Sequence, residues 1–150
     1  MRAAIELARE GMADGRGGPF GAIVVRDGCI VGRGSNRVVR ACDPTAHAEI
    51  VAIRDAAARL GTHVLAGCEV YSSCEPCPMC LSALYWARVD RIYFGCTRQA
   101  ASAAGFDDEL LYQELARPIA ARSLPMRSLL REEAATLFED WAALSNRVPY

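Results

Sequence analysis

Apolar and polar residues alternate along this chain with two distinct periods. Near the start, Ile5, Ala8 and Met12 share one face of a 3.6-residue repeat, which predicts a helix over about 2–14. Gly15, Gly17, Gly18 and Pro19 then mark a loop. Two short apolar runs, 20–25 and 29–34, flank the turn signal Asp27-Gly28 and predict a hairpin. Residues 36–44 read as a loop. Helical spacing returns with Ile50, Ile53, Ala57 and Leu60, predicting a second helix over about 46–60 that stops at Gly61. A strand over 69–72, a helix over about 76–88 and a strand over 91–95 follow. The 76–88 helix is apolar nearly all round, which predicts burial. After a long polar and Ala-rich connection, 124–130 is a candidate fifth strand. Ala134, Leu137, Phe138, Trp141 and Leu144 then line one face of a last helix over about 131–145. This order predicts an α/β fold, a three-layer α/β/α sandwich around a mixed five-stranded sheet.

Length adds one domain over 1–150, without internal repeat, low-complexity tract or linker. A chain of this size buries roughly two-thirds of its unfolded surface and needs no disulfide scaffold. No run of about 18 apolar residues is present, so no membrane partner is expected. Met1-Arg2 leads into an amphipathic segment with Glu6 and Glu10 rather than into a signal peptide. The formal net charge is −1, and the 17 basic residues are all Arg, scattered without a basic run. That pattern argues for a small neutral substrate and against a nucleic acid, although folding could still gather Arg into a patch. Seven Cys is an odd number: three lie within 74–80, while Cys29, Cys42, Cys68 and Cys96 stand alone among apolar residues. The expectation is a reduced, cytoplasmic protein with one metal site.

The metal-ligating candidates are His47, Cys77 and Cys80, with Glu49 beside them. On a helix His47 and Glu49 stand ~200° apart and share no face. They converge if the target lies just beyond the helix N-terminus, toward which side chains tilt, and Pro44-Thr45 places a helix start there. Cys77 and Cys80 are three apart and do share a face, behind a Pro76 suited to a first helical position. A metal would sit between two positive helix ends, which favour thiolates. One His and two Cys suit Zn²⁺ and leave a fourth tetrahedral position open, as in a catalytic site, with Glu49 uncoordinated as proton carrier. C-x-x-C alone also fits a redox pair or a structural zinc half-site. Cys74 could close a Cys₃His site in a non-catalytic, zinc-stabilised module, which would have no use for Glu49. His63, the other His, is expected on the surface.

The combination H-x-E and, about 30 residues on, P-C-x-x-C is the signature of zinc deaminases of nucleobases. The chain resembles the cytidine-deaminase-like superfamily. Gly17–Ala22, Asp43–Glu49, Ser73–Cys80, Gly105-Phe106-Asp107-Asp108 and the terminal Tyr150 place it with the bacterial guanine deaminases. The resemblance implies zinc-dependent hydrolysis of guanine to xanthine and ammonia. It implies that Asn36 reads the ring edge, that Asp108 binds and assists the N1 and amino edge, that Phe20 packs along the base, that Ala48 lines the site, and that Tyr150 closes the pocket. Strand core (Phe20), a turn (Asn36) and a helix cap (Asp107-Asp108) are the plain structural alternatives. The resemblance also implies a homodimer whose C-terminal segment can be exchanged between subunits. Guanosine, cytosine, ammeline and the wobble adenosine of tRNA remain alternative substrates, and residues 113–131 match no pattern.

Overall fold

The computed structural model of the chain describes residues 1–150 apart from Arg16, Asp107 and Tyr150. Two compact units are present, Met1–Tyr112 and Gln113–Tyr150. The first holds α1 (Arg2–Met12), β1 (Gly21–Arg26), β2 (Cys29–Ser35), α2 (Val38–Ala41), α3 (Ala48–Leu60), β3 (Cys68–Cys74), α4 (Pro78–Trp86), β4 (Arg91–Cys96), α5 (Arg98–Ala103) and the start of α6 (Glu109–Ala116). The sheet order is β2-β1-β3-β4. β1 runs antiparallel to β2 and β3, and β3 runs parallel to β4 with α4 as the crossover. Asp27 and Gly28 both carry positive φ, as the predicted two-residue hairpin turn requires.

The α/β class and the mixed sheet agree with the sequence reading, but four strands are formed among the described residues, not five. Residues 124–130 make no strand. Pro125 lacks a ladder donor, and Leu130 turns left-handed (φ 51°) to precede α7 (Arg131–Ala143). The connection after β4 is not plain coil either, since it contains α5, α6 and a 3-10 turn at Ile119–Ala121.

Helix faces also differ from the sequence reading. α1 buries Ala4, Ala8 and Gly11, while Ile5 and Met12 are exposed. α3 buries Ala48, Glu49, Ala52 and Ala56, and Ile53 and Leu60 pack at its margin. The reason is close approach of backbones. A methyl group on Gly21 would collide with the Ala4 carbonyl, and one on Gly34 with the Ala48 carbonyl. Small residues therefore occupy both helix–sheet seams, and the larger side chains are displaced to the edges. Val24, Leu65, Val70 and Leu84 fill the core with no exposure, each contributing about 1.5–3 kcal/mol of burial. α4 buries Pro78, Cys80 and Leu84 but leaves Tyr85 and Trp86 exposed, so the expected all-round burial is not seen within one chain. Of the four isolated cysteines only Cys68 is buried.

In the second unit no described residue is buried. The apolar stripe of α7 forms at the expected spacing, yet Leu137, Phe138, Trp141 and Leu144 are all exposed. No described helix is long and apolar enough to cross a membrane.

Candidate active site

Two chain reversals deliver the chemistry. In the first, the Asp43 carboxylate accepts the Thr45 N–H at 2.8 Å and the Thr45 hydroxyl at 2.7 Å, and these bonds lower its pKa. The Ala46 carbonyl accepts the Arg37 N–H at 2.9 Å, tying this turn to the end of β2. His47 emerges at the N-cap of α3 in extended conformation (φ −67°, ψ 157°). In the second reversal Cys77 is the N-cap of α4 (φ −64°, ψ 167°), followed by Pro78. His47 thus precedes its helix rather than belonging to it. That removes the angular conflict with Glu49, which sits in the first turn of α3.

The donor atoms of His47, Cys77 and Cys80 lie within 4.8 Å of one another, the one such group among the described residues. Both sulfurs are 3.6 Å from His47 Nδ1. Tetrahedral zinc with Zn–S of about 2.3 Å and Zn–N of about 2.0–2.1 Å requires an N···S separation of roughly 3.6 Å. The donor set therefore fits zinc in both chemistry and spacing. Hydrogen bonding from Cys80 and His47, against burial, lowers the Cys77 pKa to about 4. The Cys77 sulfur and burial in turn push the Cys80 thiol far up. Metal binding must displace that remaining proton. Cys74 stands outside the group. Its thiol donates to the Thr97 carbonyl at 3.7 Å, away from the three grouped donor atoms, and burial lifts its pKa to about 11.

Glu49 is 5 % exposed. Its Oε1 accepts the Ser72 hydroxyl at 2.7 Å. Burial pushes its carboxyl up and the Ser72 bond opposes that shift. Asn36 is fixed by its backbone: its Oδ1 accepts the N–H of Gly18 at 3.4 Å and of Val38 at 3.3 Å. Those donors settle the amide orientation, with Oδ1 as the accepting end and NH₂ as the other. Phe20 packs on the core and stands edge-on to Phe106, centroids 4.8 Å apart at 83°. Ala48 is fully buried at the first position of α3. Asp108 is half-buried; the pKa of His47 is raised chiefly by its hydrogen bond to Cys77, against burial, with the charges of Cys77, Glu49 and Asp108 adding to the rise. Asp107 and Tyr150 lie outside the described residues. His63 is exposed, as expected.

Residues 1–96 match the profile of the cytidine and deoxycytidylate deaminase zinc-binding region. The chain belongs to this deaminase family. It is 43 % identical over 150 residues to guanine deaminase of Bacillus subtilis, covering 100 % of this chain and 96 % of that one. It also matches the crystal structure of guanine deaminase from Bacillus subtilis with a TM-score of 0.96 at 44 % identity, over 99 % of this chain and 95 % of that one. The tRNA-specific adenosine deaminase of Aquifex aeolicus is 47 % identical over only 76 residues, 51 % of this chain and 50 % of that one. As a deaminase of this family the chain binds zinc, and the His47, Cys77 and Cys80 donors fit it.

Three features of this deaminase site were not assigned from the sequence. Ser72 is the last residue of the strand expected over 69–72, and its partner Glu49 lies 23 positions away. Phe106 belongs to the Gly105–Asp108 motif, but only the fold shows it against Phe20. Tyr112 donates to the Pro76 carbonyl at 3.2 Å, beneath the Arg98 guanidinium 4.3 Å from its ring centre. Arg98 N–H in turn reaches Glu75 at 3.0 Å, so α5 and α6 brace the loop that carries Cys77. The fold also gathers charge that looked scattered. Arg33, Arg37, Arg54 and Arg59 line a groove of about 520 Å³, where Asp43 and Asp55 pair with Arg54 and Arg59 at 3.5 and 2.9 Å.

Proposed function

We propose that this chain is a zinc-dependent guanine deaminase, converting guanine and water to xanthine and ammonia. The observation that carries the reading is the tetrahedral spacing of His47, Cys77 and Cys80 with an uncoordinated, buried Glu49 beside them, in a chain alike from end to end to a guanine deaminase. When bound, zinc supplies Lewis acidity that brings water toward ionisation near neutral pH. Glu49 takes one proton from the attacking water and gives it to guanine N3. The water oxygen bonds to C2, the C2–N bond breaks, and Glu49 returns the second proton to the departing ammonia. The raised pKa of its carboxyl suits a group that must hold and release a proton in turn. Asp108 accepts from N1–H and the amino group. Asn36 donates through its NH₂ to a ring acceptor, Phe20 and Ala48 pack along the base, and Tyr150 covers it.

Ammonia release from guanine, guanosine, cytosine, adenine and ammeline by the zinc-loaded protein tests this reading. Guanine is expected to be preferred, because the ring nitrogen beside cytosine's amino group is bare and offers no N–H to an ionised Asp108, and an unpaired buried polar group costs about 1–3 kcal/mol. Asp108→Ala is expected to lower guanine kcat/KM by about tenfold, within that range, while zinc content stays at one per chain. Equal turnover of cytosine by the parent protein would refute the assignment of guanine.

We also infer a cytoplasmic homodimer that exchanges its C-terminal segment. The support is uncovered apolar surface in both units: Phe138 is 77 % exposed in one, and Trp86 63 % in the other. Large apolar side chains left exposed in this way suit burial against another copy of the chain. Deleting Tyr150 is expected to leave zinc content and Tm unchanged and to lower guanine kcat/KM more than ~10-fold, about 1.4 kcal/mol. Mixing that chain with a Glu49→Gln chain should restore activity, because one hybrid site combines an intact Glu49 with a Tyr150 from the other subunit. No recovery after verified subunit mixing argues against exchange, and full activity after deletion removes the lid.

A further inference from the structure

We infer that Ser72 is the positioning residue of the proton carrier: its hydroxyl pins Glu49 Oε1 and leaves the other carboxylate oxygen to move protons. The inference rests on the deaminase role of Glu49. Ser72 has no exposure and stands in β3, where it pairs with Ala22 of β1 on one side and with Phe94 of β4 on the other. A residue flanked by strands on both sides has little freedom to move. The next residue, Ser73, points to the opposite face and accepts the Gly21 N–H at 3.0 Å. The two serines are therefore divided between the sheet faces, and only Ser72 looks toward α3. Its bond to Glu49 spans 2.7 Å, the short range of a hydroxyl donating to a carboxylate.

A carboxylate on a two-carbon stem has several rotamers within reach of a neighbouring substrate, and a proton carrier must hold one of them. α3 fixes the Glu49 backbone, whose own N–H also donates to the carboxylate. The Cys80 thiol can also donate toward Glu49, but as a metal ligand Cys80 is a thiolate with no proton to give. Ser72 then remains as the side-chain donor. Fixing Oε1 divides the carboxylate into an anchored oxygen and a working one, so a proton taken from water returns along a defined line. A hydroxyl is suited to this role because it donates one bond and carries no charge that would compete with the proton in transit.

The test uses the zinc-loaded protein and whichever base of the panel it deaminates fastest, so an incorrect substrate assignment does not touch it. Ser72→Ala is expected to keep one zinc per chain and nearly the same KM while kcat falls about tenfold, the usual scale for losing an outer hydrogen-bond partner. Ser72→Thr keeps the hydroxyl on a residue suited to a strand and is expected to restore most of kcat. In a Glu49→Gln background, Ser72→Ala is expected to cost little more, because the two residues act as one unit. An unchanged kcat in zinc-loaded Ser72→Ala overturns the inference. So does an equal loss in the Ala and Thr variants, or a full repeat of the loss in the Glu49→Gln background; either result makes Ser72 a packing residue only. A zinc-loaded parent that deaminates nothing overturns both this inference and the functional reading. An active parent with an indifferent Ser72→Ala overturns this one alone.

Discussion

Glu49→Gln is expected to lower turnover at least ~10²-fold while zinc content stays at one per chain. The substitution keeps shape and hydrogen bonding. A Gln carbonyl can accept the Ser72 hydroxyl as Oε1 does now, and Glu49 contributes no donor atom to the metal group. What is lost is the ability to take and return a proton. The sign of the stability effect follows from burial. The folded-state carboxyl is pushed above its ordinary value, chiefly by desolvation, so folding opposes its ionisation at all pH values above the unfolded pKa. An amide removes that cost, and with zinc stripped Tm at neutral pH is expected to hold or rise. Metal analysis, thermal melts and kcat on one preparation check all three statements. Turnover near the parent level in a zinc-loaded variant would take Glu49 out of the mechanism.

Removing a metal donor is expected to have the larger effect. Cys80→Ala should reduce bound zinc well below one per chain and abolish measurable turnover, because two donors remain of the three that fit a tetrahedral ion. Chelation of the parent protein should do the same reversibly. Both should lower Tm, since a ligand at about a thousand times its Kd stabilises the folded state by about 4 kcal/mol. The direction with pH is also set. The Cys77–Cys80 pair keeps one proton because the first thiolate and burial oppose loss of the second. Zinc must displace that proton, so affinity falls as pH falls and acid releases the metal. Metal release that is independent of pH, or an active Cys80→Ala protein, would contradict this donor set.

These expectations depend on different levels of organisation. The sequence alone determined what local periodicity and spacing can encode. The two chain reversals before α3 and α4, the hairpin at Asp27-Gly28, the α/β class and the His47–Cys77–Cys80 triad were all readable from it. A turn is decided by residues close together in the chain, and the triad was legible as a motif, although Cys77 proves to be the N-cap before α4, with Pro78 rather than Pro76 opening the helix. The tertiary structure decided whatever depends on how closely two backbones approach. α1 and α3 bury Ala4, Ala8, Ala48 and Ala52 rather than their larger neighbours, because Gly21 and Gly34 draw the helices onto the sheet. Residues 124–130 had strand-like composition but no ladder to join. Ser72 and Phe106 became visible only when partners 23 and 86 positions away in sequence were brought to 2.7 and 4.8 Å. No local period records such a distance. A hydrogen bond across a sheet–helix seam forms only once the helix has docked.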